Sequence, residues 1–172
     1  MIRAGILQEG DPVELLEGWI RFKMPRNPRH DAVIDKTQRA LLARFPDWRA
    51  RVQSAITTAD SEPEPDVVLA PGPADRYSTH HPSPDEIALV IEVADSSLEF
   101  DREEKNRVYA RAGIPIYWII NLRDSTIEVY SAPASDQRVS SYQRKDVYTI
   151  HDSVPLSVPG AISTSIQVHE LV

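Results

Sequence analysis

Residues 87–120 restrict the fold more than any other part of the chain. They read as an apolar strand at 87–93 (Ile87, Ala88, Leu89, Val90, Ile91, Glu92, Val93), a helix reaching Ala112, and a second apolar strand at 116–120 (Ile116, Tyr117, Trp118, Ile119, Ile120). Ser96 and Ser97 are natural N-cap residues, and Gly113 followed by Pro115 stops the helix. Two strands joined by a helix of about fifteen residues cannot form a hairpin. They lie parallel in one sheet, with a right-handed crossover.

The remaining segments add to this unit. Residues 28–45 predict a helix with Ile34, Leu41, Leu42 and Phe45 on one face, Lys36 and Arg39 elsewhere, and Pro46 at its end. Strands at 51–58 and 66–70, separated by Asp60-Ser61-Glu62-Pro63-Glu64, are expected to form a hairpin. Residues 14–22 read as a short helical turn running into a strand, broken at Gly18, and residues 71–84 as a loop. Residues 126–130 alternate as an outer strand does, and 132–172 read as a C-terminal β extension. A chain of 172 residues fits one domain, 1–172, with its core at about 12–131.

Two acids stand out against this pattern. Asp66 opens the apolar strand that continues Val67-Val68-Leu69-Ala70, and Glu92 lies near the end of Ile87-Ala88-Leu89-Val90-Ile91. A buried ionised carboxylate loses several kcal/mol of hydration, so such acids are paired, protonated or metal-bound. If the two strands pair antiparallel, Asp66 and Glu92 approach each other. Lys105 shares a helical face with Tyr109 and Ala112, and that face packing on the sheet would bring its ammonium to the carboxylates. The alternative is a surface i,i+4 pair between Asp101 and Lys105, and spacing alone leaves both open.

Charge is unevenly distributed. Residues 21–51 hold nine basic residues against three acids, and residues 60–104 hold thirteen acids against two basic residues, within a net charge of −7. The first stretch is a candidate phosphate-facing surface and the second suits a divalent cation, although either can be an ordinary solvated face. With no cysteine in the chain, any metal is held by oxygen or imidazole. His80 and His81 sit in a Ser- and Pro-rich loop and read as solvent-exposed; Tyr117 and Trp118 read as core; no glycine-rich phosphate loop suggests a nucleotide cofactor. No segment approaches the roughly 20 apolar residues of a membrane span, and residues 1–10 lack a signal peptide's apolar block, so a cytoplasmic protein is expected.

Taken together, Pro65-Asp66, the run Ile91-Glu92-Val93-Ala94-Asp95-Ser96-Ser97, Asp101, Lys105, Tyr109, Gly113 and Tyr117-Trp118-Ile119 resemble the signature of the Uma-type family of putative restriction endonucleases, within the PD-(D/E)XK nuclease superfamily. The resemblance extends to Glu14-Leu15-Leu16-Glu17-Gly18, His30 and Ile127-Glu128-Val129-Tyr130. It implies an α/β, restriction-endonuclease-like αβββαβ core with a mixed central sheet flanked by helices. Asp66 and Glu92 would be the catalytic acids holding Mg2+, with Mn2+ as a substitute and the Val93 carbonyl as a further ligand. Lys105 would replace the lysine usually found two residues after the second acid, where this chain has Ala94. Glu14, or the nearby Glu17, would complete the site. Trp19 departs from the acid that often follows the glycine.

The activity so implied is hydrolysis of DNA phosphodiester bonds by a homodimer, with Arg26, Arg29, His30 and Lys36 as nucleic-acid contacts. Two other readings use the same residues. One is a catalytically silent DNA-binding or protein-interaction relative. The other is a structural domain in which Asp66, Glu92 and Lys105 form only a buried ion-pair network.

Overall fold

The computed structural model describes residues 8, 11–23, 27–135, 140–161 and 163–172. In chain order its elements are β1 (Val13–Leu16), β2 (Trp19–Phe22), α1 (Pro28–Arg44), β3 (Trp48–Val52), β4 (Val67–Pro71), β5 (Leu89–Ala94), α2 (Leu98–Phe100), a π turn (Asp101–Lys105), α3 (Asn106–Arg111), β6 (Ile116–Asn121), β7 (Thr126–Ser135), β8 (Ser140–Tyr148), β9 (Ser153–Leu156), β10 (Thr164–Gln167) and α4 (Val168–Leu171).

The central sheet has the strand order β3-β4-β5-β6-β7-β8. β5 and β6 pair in parallel, as a helical crossover demands, and the other neighbours pair antiparallel. The fold is therefore mixed α/β, and α1, β3, β4, β5, the helical run and β6 reproduce the expected αβββαβ order. Side chains alternate between two cores. On one face α1, β9, β10 and α4 contribute Val33, Leu41, Val154, Ile166 and Leu171 to a core containing Leu69, Ile91 and Trp118. On the other, Val108 and Tyr109 of α3 pack with Val68, Val90, Tyr117 and Ile119.

Several sequence expectations are corrected. The segment at 14–22 is a β-hairpin and contains no helical turn: Glu17 and Gly18, at φ 50° and 80°, form the two-residue turn that matches strand twist. β3 begins at Trp48 and ends at Val52, because Gln53 adopts φ 45° and the chain then leaves the sheet, although Ile56 is still fully buried. β7 runs to Ser135 and is not an outer strand, since β8 pairs along its far side. The first strand of the C-terminal extension thus completes the central sheet, while β9 and β10 form a separate antiparallel hairpin.

The crossover helix is continuous but changes pitch. α2, the π turn and α3 follow one another without a break, and the wider turn at Asp101–Lys105 buries both of its end residues. Ser97 does not cap this helix as expected; its backbone is already helical and its hydroxyl donates to Asp101 Oδ2 at 2.6 Å. The Asp101–Lys105 surface pair is excluded by burial, since both residues are only 4% exposed. π turns inside α-helices are frequently found at functional sites.

Candidate active site

The β4–β5 register sets the site. Val67 lies opposite Ile91, so Asp66 and Glu92 meet where β4 begins and β5 approaches its end. Main-chain donors fix both carboxylates: Val93 N–H donates to Asp66 Oδ2 at 2.8 Å, and Asp66 N–H donates to Glu92 Oε2 at 3.3 Å. In an extended strand the N–H and C=O of one residue leave on the same edge. The Val93 carbonyl therefore faces the β4 side, beside Asp66.

The helical run supplies the cation. Lys105 Nζ donates to Glu92 Oε1 at 3.1 Å and to Glu14 Oε2 at 2.6 Å, and all three side chains are more than 90% buried. Tyr109 donates its hydroxyl to the same Glu92 oxygen at 2.6 Å. Glu14 reaches the site because the β1–β2 hairpin docks there, and Glu64 N–H also donates to Glu14 Oε2. Glu17, the alternative acid, instead pairs with Arg107 and Arg111, and its bond to Arg107 holds its carboxyl below the ordinary range.

Burial dominates the electrostatics. It pushes Glu92 up to about 8 against the pull of Lys105, and neighbouring Asp66, Asp101 and Glu14 push the same way. Asp101 is raised to about 6, also by burial. Burial opposes a charged Lys105, yet Glu92 and Glu14 outweigh it, so the ammonium is held firmly protonated. Burial likewise raises Tyr109, which remains a hydrogen-bond donor. One cation thus stands among several acids, an arrangement that would disfavour folding without the fixed donors around it.

The sequence pointed to Asp66, Glu92, Lys105 and Glu14, and the structure brings them together. His30 is also here, but not as expected: its Nε2 lies 3.1 Å from Asp66 Oδ2, and this bond raises its pKa against the opposing effect of burial. Tyr109 and Asp101 are additional members; spacing alone indicates a shared helix face with Lys105 for the first and a surface pair with Lys105 for the second. Among the described residues, no three His, Asp or Glu side chains are spaced to hold a metal. The donors that fit a hard cation are Asp66, Glu92 and the Val93 carbonyl. Mg2+, which keeps several waters and takes one or two carboxylates, suits so sparse a set.

The basic stretch is largely engaged with the chain's own oxygens. Arg21 pairs with Glu104, Lys23 with Glu64, Arg39 with Asp35 and Arg44 with Glu170. Lys36 donates to the Val172 carbonyl at 3.2 Å, which makes it a link to the C-terminal end. Arg29 is exposed and has no ion pair among the described residues, and Arg26 lies outside those residues. The uniform phosphate-facing surface suggested by composition is therefore not what folding produces.

His80 and His81 are exposed, and Tyr117 and Trp118 are fully buried, as their surroundings in the sequence indicated. Among the described residues, no helix is long and apolar enough to cross a membrane.

Residues 4–166 match the Uma2 family model, described as "Putative restriction endonuclease". The crystal structure of a putative nuclease belonging to DUF820 from Anabaena variabilis is similar to this chain at a TM-score of 0.70 and 19% identity, over 96% of this chain and 92% of that one. That likeness shows a shared fold. No curated protein matches the chain.

Proposed function

The chain belongs to the Uma2 family of putative restriction endonucleases, and from that premise we propose that it is a Mg2+-dependent endonuclease hydrolysing DNA phosphodiester bonds at the Asp66–Glu92–Lys105 site. The observation that carries this reading is the burial of Lys105 between Glu14 and Glu92 beside a main-chain-anchored Asp66. Burial at this density is a poor way to gain stability, since an apolar trio of similar volume does as well or better. It is a good way to preorganise charge for a reaction.

In this reading Asp66, Glu92 and the Val93 carbonyl hold Mg2+, with Mn2+ as a substitute. The cation supplies Lewis-acid polarisation of the phosphate and a more acidic water. The chain's own residues do the rest. Val93 N–H and His30 occupy Asp66 Oδ2, which leaves its other oxygen to take the cation. Tyr109 and Lys105 both bind Glu92 Oε1, which turns Oε2 toward Asp66. Lys105 stays protonated, so its role is to stabilise negative charge developing at the phosphate and not to abstract a proton. Glu14 fixes the ammonium from the other side. On duplex DNA, a homodimer in the cytoplasm would place one such site on each strand.

The test is cleavage of supercoiled plasmid and of single-stranded DNA with Mg2+ or Mn2+, comparing the wild type with folded Asp66→Asn, Glu92→Gln and Lys105→Met proteins, alongside calorimetric Mg2+ titration. Wild-type cleavage lost in all three variants supports the proposal. A wild type that neither cleaves nor binds a divalent cation overturns it in favour of the structural ion-pair domain. One observation favours a second reading, a non-cleaving relative: the chain's cations are mostly paired internally and leave few for nucleic acid. A wild type that binds DNA yet neither cleaves it nor holds a divalent cation would support that alternative and not the structural domain, since a silent relative has no need of the metal.

A further inference from the structure

Among the described residues Arg49 and Arg51, like Arg29, escape the internal pairing. Arg49 and Arg51 alternate along β3 opposite Ala70 and Val68, and Val68 in turn faces Val90. By strand alternation they stand on the same face of the sheet as Asp66 and Glu92. Strand geometry puts their Cα atoms roughly 14 and 8 Å from that of Asp66, an interval of a few nucleotides. Both are partly exposed, and neither makes an ion pair among the described residues. Arg49 makes only a long 3.5 Å contact to the Trp48 carbonyl.

Their surroundings leave donors unmet. Of six buried side-chain polar atoms without a hydrogen-bond partner among the described residues, three fall here: Arg49 Nε, Arg51 Nε and the Tyr77 hydroxyl. Tyr77 is the hub. The Arg51 guanidinium lies 5.0 Å over its ring and that of Arg76 5.8 Å, while His80 meets its edge at 5.6 Å. The Tyr77 hydroxyl is close to Arg76 without reaching hydrogen-bond geometry. The acid in this group is Glu86, and Arg76 holds it at 2.8 Å. Buried donors are normally satisfied, so two unpaired guanidiniums, each with an unmet Nε, together with the unmet hydroxyl of Tyr77 beneath Arg51, call for an anion with several acceptor oxygens.

We propose that Arg49 and Arg51, the second of them seated on Tyr77, form a phosphate clamp that takes a backbone phosphodiester of the substrate strand a few nucleotides from the bond to be cut. This rests on the nuclease reading and locates its substrate path. The strand runs along β3 toward Asp66, and the planar forks supply bidentate contacts that a lysine cannot reproduce. The clamp holds the backbone and reads no base.

The test uses the full chain carrying Asp66→Asn, so that nucleic acid is bound without being cut. Affinity for labelled duplex DNA, single-stranded DNA and RNA of one sequence is measured against salt concentration. Adding Arg49→Gln and Arg51→Gln together is expected to weaken binding on the order of tenfold at 0.1 M salt. The slope of log affinity against log salt should fall by about 0.9 per lost contact on duplex, or about 0.7 on a single strand. Arg51→Lys keeps the charge without the fork; it should retain the slope and lose affinity a few-fold, which also guards against a double variant that misfolds. Unchanged affinity and slope in a folded double variant that still binds DNA would overturn the clamp and leave the nuclease standing. Failure of the Asp66→Asn chain to bind any of the three nucleic acids, with no cleavage by the wild type, would sink both.

Discussion

Removing the ammonium of Lys105 leaves two buried carboxylates, Glu14 and Glu92, facing each other with no cation between them. Lys105→Met should therefore lower stability by about 3–5 kcal/mol, measured by urea unfolding at pH 7, and abolish cleavage. Adding Glu14→Gln should restore part of the stability and none of the activity. Tyr109→Phe removes one donor from Glu92 Oε1 but leaves Lys105 on it, so a loss of about 1–2 kcal/mol and a reduced, measurable cleavage rate are expected. Asp66 and Glu92 were legible in the sequence because an acid in an apolar run has few ordinary explanations. Tyr109 and Asp101 entered only through the family signature, with no role attached, since a tyrosine or aspartate on an amphipathic helix is ordinary. Glu14 and Glu17 could not be told apart while their segment was read as a helical turn. The hairpin separates them, turning one toward Lys105 and the other toward Arg107.

Two elements matter beyond their own contacts. The β1–β2 hairpin delivers Glu14, and its turn depends on Gly18 at φ 80°, where an added Cβ would meet nothing within 4 Å. Gly18→Val thus carries a backbone cost alone, about 1–2 kcal/mol. Cleavage should fall further than global stability, a difference seen by comparing rates with melting curves. The second element is the π turn, which Arg102 ties to β7 through Glu128, with Lys145 of β8 and the Tyr130 hydroxyl binding the same carboxylate. Although burial opposes ionisation, these three partners hold Glu128 down at about 2. Its folded pKa lies below the ordinary glutamate value of 4.5, so its contribution is complete above pH 4.5 and is lost as pH falls toward 2. Melting temperatures across that window should drop less steeply in Glu128→Gln, which should itself be about 2 kcal/mol less stable at neutral pH. Alternation revealed β7 as a strand. It gave no sign that an acid on it would be buried, because the partners come from a helix and a strand well separated in the chain.

The crossover unit fixed the parallel pairing at the centre of the molecule from its apolar runs and helix stops, and the expected hairpin supplied the β3–β4 pair beside it. The C-terminal portion was harder to read. β8 is long but polar and β9 and β10 are short, and their role depends on long-range packing: β8 closes the sheet edge while Val168 and Leu171 of α4 are fully buried in the core with α1. Truncation after Gln167 should accordingly cost about 3–6 kcal/mol from those two side chains, read as a lowered urea midpoint. Charge was misleading at this scale: Arg21 and Lys23 reach the acidic stretch, while Arg39 and Arg44 pair with Asp35 and Glu170 and Lys36 binds the C-terminal end. The position two residues beyond Glu92 is Ala94, packed without exposure on the same face, while the ammonium arrives from the far side of a π turn. A catalogue that identifies such proteins by letters a fixed number of places apart will pass over this one. A search for a cation lodged among acids, whatever route the chain takes to deliver it, will not.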